Sequence, residues 1–439
     1  MVTRFPIVYL PIEFGSREFD SKALLATVLA ARGYHVVIGQ QWLLYNNMRQ
    51  LPAGAVMFKS FNNIHHPAMV AAKKAGHRVI ILEEELLAHI EKVAIANYCT
   101  KHIFDLPDVI LANGAFEKSV LDELSGGKIP VEVAGNGRVD ILKPAYHGFF
   151  QRDIDAVRAR FGDFILINTN FGIINTLWDS VEQVTDIHVR AGFIKLDDPK
   201  SVKAWDDQIE FERVNRAAIL TAIKELCRRR PQQRIVLRPH PGEAIERWNG
   251  VFAEQPNVSV IREGAHVPWT LGCRMLLHTS CTTGFEAQAA GKMAMSLVAN
   301  PNWISDSFIS NHLNPLFTDP IKMVDAAEAY LDRGEVLQKG RLSLEEAEHY
   351  VWNIGGNVGV ERIADLLTRD LPAPGGQIKM PVLAPYERPE KLKSKFDLSM
   401  QGCVDVMQRI LGTTENRANL NLNQIGESLF YLASAAPKA

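Results

Sequence analysis

Short apolar runs alternate with segments of helical spacing along most of the chain. Residues 7–10, 35–39, 55–59, 78–82, 108–112 and 131–133 read as strands. Between them, residues 21–32 closed by Gly33 and residues 67–75 closed by Gly76 carry apolar positions at helical intervals. A second cycle follows a polar stretch at 143–151, with strands expected at 164–168, 234–237, 258–261, 275–277 and 293–298 and a long amphipathic helix at about 207–230. Strands alternating with helices at this spacing imply parallel βαβ units and doubly wound sheets. The expected class is therefore α/β, with two Rossmann-like domains facing a cleft: 1–145, then 146–370. Residues 371–389 are dense in Pro and Gly and read as a linker or extended strap. The remainder, 390–439, reads as a helical tail, with helical spacing at 399–411 and 422–433, packing on the first domain or on a partner subunit.

Composition narrows the function classes. A chain of 439 residues exceeds one comfortable core and suits two domains. Its formal net charge of −2 gives no basic excess with which to neutralise a nucleic-acid backbone. Lys391, Lys393 and Lys395 are largely cancelled by Glu387, Glu390 and Asp397. Five scattered cysteines with no CxxC suit a reducing cytoplasm and give neither a disulfide framework nor a zinc site. No apolar run reaches the roughly 18 residues of a membrane span, and the first residues turn polar too early for a signal peptide. A cytoplasmic protein is expected; peripheral contact with the inner membrane and a homodimer both stay open.

Chemistry concentrates where predicted strands end. RIVLRPHPG stops an apolar strand at Arg238 and His240, on the carboxyl edge where open α/β sheets bind ligands. About forty residues on, RMLLHTSCTTGFEAQAAGKMAMSLV reads as strand, turn, helix and strand, with Ser280, Thr282, Thr283 and Gly284 in the turn. The start of a helix offers unpaired N–H groups to a phosphate, although Ser and Thr are also ordinary caps. Glu286 could accept from ribose hydroxyls or simply complement the helix dipole. Cys281 has no base beside it in sequence and reads as a packed thiol. Neither stretch is a Walker loop, and no GxGxxG follows an early strand.

The first half offers acids. Glu83, Glu84 and Glu85 follow a strand directly and are expected to open a helix, their mutual repulsion raising at least one pKa. PIEFGSREFDSK places Glu13, Arg17, Glu18, Asp20 and Lys22 after the first strand, with Asp20 or Ser21 expected to cap the helix. Arg138 and Asp140 follow the last strand of this domain, and Asn168 and Asn170 the first strand of the next. These polar groups suit a hydroxylated or anionic substrate, with Asx turns the cheaper explanation of the asparagines. Asp206 and Asp207 read as caps of the long helix, leaving no DxD-type metal site.

Taken together, these residues resemble the GT-B glycosyltransferases that use CMP-activated acidic sugars, the bacterial sialyltransferases and Kdo transferases. Over about residues 7–370, including LPIEFGSREFDSK and GNGRVD, the likeness is to surface carbohydrate biosynthesis proteins of capsule, lipopolysaccharide and flagellin-modification loci. In the sialyltransferase pattern an acidic pair followed by Gly supplies a catalytic carboxylate, and a His-Pro pair and a Ser/Thr turn hold CMP. Glu83 and Glu84 stand where the acidic pair would be, His240 and Pro241 form the His-Pro pair, and Glu85 or Leu86 stands where the pattern has Gly. The resemblance implies transfer of Kdo or a nonulosonate (sialic, legionaminic or pseudaminic acid) from a CMP-sugar donor to a glycan, lipid-linked or protein acceptor. No metal or separate cofactor is then required. Glu83, Glu84, Glu13 and His240 would be catalytic, with Arg17, Asp20, Arg138, Asn168 and Asn170 on the substrate. A sugar-nucleotide 2-epimerase, a polyol-phosphate transferase and a non-catalytic scaffold are the competing readings.

Overall fold

Two mostly parallel sheets carry the chain, each flanked by helices, in a computed structural model that describes residues 4–87, 89–99, 104–393, 395–413 and 420–434. The strands are β1 (Ile7–Ile12), β2 (His35–Gln40), β3 (Ala55–Phe58), β4 (Arg78–Leu82), β5 (Val109–Ala112), β6 (Val131–Val133) and β7 (Phe164–Asn168). They continue with β8 (Arg234–Arg238), β9 (Val258–Val260), β10 (Met275–His278), β11 (Ala294–Leu297), β12 (Leu316–Phe317), β13 (Leu420–Gly426) and β14 (Leu429–Ser434). The first sheet runs β13-β14-β2-β1-β3-β4-β5-β6 and the second β12-β11-β10-β7-β8-β9. Every pairing is parallel except β13 with β14 and β14 with β2. Central strands such as β1, β4 and β7 are buried on both faces, which is why they read as continuous apolar runs. This is the two-domain Rossmann-like architecture of the GT-B class.

The chain divides into two units, Met1–Phe150 with Leu344–Ala439, and Gln151–Ser343. The second domain expected from sequence thus ends at 343 instead of 370. Asp140 explains the return: its carboxylate accepts from the N–H groups of Gly359 (3.1 Å) and Val360 (2.6 Å), capping the Gly359–Thr368 helix, and from Asn353 Nδ2 at 2.8 Å. At the other end of that helix, Arg78 Nη1 donates to the carbonyls of Leu366 (2.8 Å) and Leu367 (3.2 Å). The Pro/Gly-rich segment then lies along the first unit as a strap, with Gly375 N–H on the Gly33 carbonyl (3.1 Å) and Leu383 N–H on that of Ile425 (2.7 Å).

The tail corrects one expectation. Met400–Thr413 is helical, but the apolar run expected as a second helix forms the β13–β14 hairpin. Pairing with β2 satisfies the backbone groups that an edge strand would leave open. Gly39 makes the approach feasible: its φ is +149°, and a Cβ there would stand 2.2 Å from the Ser428 carbonyl oxygen.

Helix starts differ as well. The first helix runs Gly15–Ala31, so Asp20 and Ser21 lie inside it. Its start is fixed by Glu18, whose carboxylate accepts from the N–H of Glu13 (3.0 Å) and Phe14 (3.2 Å). The long helix runs Pro199–Arg229 and is capped by Asp198, whose side chain accepts from Lys200 N–H at 3.0 Å; Asp206 and Asp207 are interior. Among the described residues no helix is long and apolar enough to cross a membrane.

Candidate functional site

In the second unit β7, β8 and β10 end in register, with Asn168 opposite both Arg238 and His278. The turn after β10 is tied to the turn after β7 by two amides. Asn168 Nδ2 donates to Thr283 Oγ1 at 2.9 Å, and Asn170 Nδ2 to the Ser280 carbonyl at 3.1 Å. Ser280 sits at φ +47°, a left-handed conformation that costs a residue with a Cβ roughly 1 kcal/mol or more. Asn311 holds it there, donating from Nδ2 to Ser280 Oγ at 2.9 Å. Non-glycine residues in such conformations concentrate at ligand sites.

The Thr282–Ala289 helix starts from this turn without a side-chain cap from Cys281. Thr282, Thr283 and Gly284, expected in the turn, are thus the first residues of the helix. Two buried oxygens beside it, the Asn168 amide oxygen, which only accepts, and the Thr279 hydroxyl, which can donate, make no hydrogen bond. Unsatisfied buried polar atoms are rare in folded proteins and point to a missing partner. Gly284 serves packing: a Cβ there would lie 2.1 Å from the Nε2 of fully buried His278. Burial pushes His278 down to about 3 and raises the Cys281 thiol, so the ring stays neutral and the sulfur protonated near pH 7.

His240 stands on a built loop. Its Nδ1 accepts from Gly242 N–H at 3.1 Å, which leaves Nε2 as the proton-bearing nitrogen of the neutral ring. The loop is held by Glu243, whose buried carboxylate gathers five donors: His240 N–H (3.0 Å), Thr169 Oγ1 (2.7 Å), Phe171 N–H (3.2 Å), Asn175 Nδ2 (3.1 Å) and Trp248 Nε1 (2.8 Å). Arg262 clamps the same loop from outside, donating to the carbonyls of His240 and Glu243. Glu243 and Arg262 are the residues that sequence reading missed. The first follows HPG directly, and an acid after such a turn is the signal that was there.

Two expected anion contacts are otherwise engaged. Arg238 donates to the carbonyls of Glu263 (2.7 Å) and Gly264 (3.1 Å) and stacks over Trp269 with its centre 4.8 Å from the ring. Glu286 is buried with its carboxylate 2.7 Å from His266 Nε2. In this arrangement Arg238 braces the β9 loop and Glu286 orients a histidine.

The carboxyl edge of the first unit is ionic. Lys59, at the end of β3, reaches Glu13 (2.7 Å), Glu18 (3.1 Å) and Glu85 (2.8 Å). Lys22 bridges Glu18 (3.3 Å) and Glu84 (3.0 Å), Arg17 holds Glu85 at 2.5 Å, and Lys395 holds Glu13 at 2.6 Å. Arg138 joins the cluster through the Glu84 carbonyl at 3.2 Å. The structure therefore brings together Glu13, Arg17, Glu18, Glu84 and Arg138, and adds Lys59 and Lys395, to which the sequence assigns no site role.

Glu83–Glu85 do not open a helix; the next one is Lys92–Tyr98. Mutual repulsion does not govern the pKa values of Glu83 and Glu85 either. Burial lifts Glu83 to about 8 against acceptor bonds from Glu85 N–H (2.7 Å) and Phe61 N–H (3.2 Å). Glu85 falls to about 2 because Arg17 and Lys59 outweigh its burial. Glu13 is lowered by Lys59 and Lys395 and is the most accessible of the three expected catalytic carboxylates, at 17% side-chain exposure. Glu83 and Glu84 are enclosed.

No protein-family model and no curated protein matches the sequence. In structure the chain is similar to the wall teichoic acid polymerase TagF in a variant form, with a TM-score of 0.50 and 10% identity over 84% of this chain and 89% of that one. It is also similar to the UDP-GlcNAc 2-epimerase of Neisseria meningitidis bound to UDP-GlcNAc, with a TM-score of 0.49 and 13% identity over 83% of this chain and 99% of that one. A third likeness is to HepE of Anabaena in complex with UDP and glucose, with a TM-score of 0.46 and 10% identity over 83% of this chain and 99% of that one. At 10% identity the likeness to the polymerase shows the fold alone.

Proposed function

We propose that the protein is a nucleotide-sugar-dependent glycosyltransferase whose second unit holds the donor's phosphate at residues 279–284. The observation that carries this is the turn itself: a strained Ser280, amide struts from Asn168 and Asn170, and the unbonded Thr279 hydroxyl, which can donate to a phosphate oxygen, beside an uncapped helix start. Helix N–H groups and hydroxyls would neutralise the phosphate as the glycosidic bond breaks. His240, with Nε2 carrying its proton, would donate to the departing phosphate oxygen.

The donor follows from the sequence resemblance: a CMP-activated acidic sugar such as Kdo or a nonulosonate, delivered to a surface glycan, lipid-linked or protein acceptor. A second reading, transfer of a polyol phosphate, is favoured by the fold likeness to a teichoic acid polymerase. Donor turnover measured with CMP-Kdo, CMP-sialic acid, a UDP-sugar and CDP-glycerol decides between them. Turnover of a CMP-sugar that His240→Ala abolishes supports the first reading. Turnover of CDP-glycerol alone selects the second, and UDP-sugar consumption without acceptor would replace both with an epimerase.

A further inference from the structure

The opposite edge of the second sheet carries a cavity of about 520 Å³, lined among others by Arg158, Asp163, Cys273, Arg274, Lys292 and Tyr330. Asp163 directly precedes β7, Arg274 precedes β10, and Lys292 stands two residues before β11. The pocket therefore lies at the amino ends of strands whose carboxyl ends build the proposed phosphate turn. Three cations face one carboxylate. Arg158 is partly engaged, its Nε donating to the Gly272 carbonyl at 3.3 Å. Among the described residues neither Arg274 nor Lys292 has an ion-pair partner, whereas nearby Arg160 pairs with Glu263 at 2.7 Å, and Arg229 and Arg230 both pair with acids. The buried Cys273 thiol, raised to about 12, adds no negative charge. Burial depresses the Lys292 ammonium, with Arg158 and Arg274 adding to the effect and Asp163 opposing it.

Three like charges around one concavity, opposed by the single carboxylate of Asp163, leave a net positive charge that a bound anion would neutralise. Its size is that of a small-molecule site. We propose that this pocket binds a small phosphorylated anion, with Arg274 and Lys292 as its charge contacts. The site is separate from the turn at 279–284 and does not depend on the function assigned to it.

Calorimetric titration of the full chain with inorganic pyrophosphate tests the assignment, using four variants. Binding should survive Asn168→Ala, which damages only the carboxyl-edge turn. It should weaken about tenfold or more in Arg274→Ala and in Lys292→Met, and return in Lys292→Arg. Unchanged circular dichroism in all four variants keeps misfolding apart from lost contacts, and Lys292→Arg serves as the second check where Lys292→Met folds poorly. Absence of binding to the wild-type chain overturns the proposal. So does binding that Arg274→Ala and Lys292→Met leave intact, or that Asn168→Ala alone removes.

Discussion

The two units end their sheets in opposite ways. At the carboxyl edge of the first, Glu13, Glu18, Glu84 and Glu85 are matched against Arg17, Lys22, Lys59 and Lys395. Where β7 and β10 end in the second, neutral amides and hydroxyls hold a strained backbone, and the buried Thr279 hydroxyl stays unbonded. A self-neutralised cluster leaves little charge to offer a ligand, whereas an edge with unspent hydrogen-bonding capacity is prepared for one. Density of charged residues in sequence is therefore a poor guide to where a ligand sits. The acid-rich PIEFGSREFDSK stretch largely spends its charges on itself.

The comparison breaks most sharply through buried charge. Lys22→Met should strip Glu18 and Glu84 of their shared ammonium and destabilise the first unit by about 3–5 kcal/mol. Denaturant unfolding would show it, and a loss below about 1 kcal/mol would mean that the carboxylates find other partners. In the second unit Gly284→Ala should cost about 2–3 kcal/mol, because the new methyl would stand 2.1 Å from His278 Nε2 and must displace the ring or the helix. Thermal unfolding that is unchanged would contradict the close packing of His278.

A third effect is linked to pH. Glu83 binds its proton more tightly when folded, at about 8 against an ordinary 4.5, so its contribution to stability is present below about pH 4.5 and is lost as pH rises through 8. The stability difference between the wild-type chain and Glu83→Gln should therefore change with pH across that window, by at most about 1.4 kcal/mol per pH unit. A difference that is flat from pH 5 to 8 would show that Glu83 ionises freely. The surrounding ion pairs act with the opposite sign, since the stability they give through Glu85 is lost only as pH falls toward about 2.

Strands were readable because continuous apolar runs and buried parallel strands are the same signal; most predicted ends lie within a residue or two of those observed. Helix starts were less so. Glu18 fixes the first helix by reaching back to Phe14, which leaves none of the Ser or Asp punctuation that sequence reading looks for. The tail was misread because its leucines satisfy helical spacing as well as alternation, and only the waiting edge of β2 decides for a hairpin. Of the site, the polar residues at strand ends were legible, and their partnerships were not. Lys59 meets Glu18 across 41 residues and Lys395 meets Glu13 across 382, distances at which spacing carries no information. Arg238 illustrates the limit: a guanidinium at the right edge turns out to brace a loop.

The claim that the neutral edge of the second unit is the nucleotide site is tested most directly by titrating CMP and UDP into the wild-type chain, Thr283→Val and Lys59→Met. Binding of one nucleotide that falls about tenfold or more in Thr283→Val and holds in Lys59→Met is the expected result. Binding that survives Thr283→Val and disappears with Lys59→Met would place the nucleotide on the ionic edge instead and contradict the contrast between the two units.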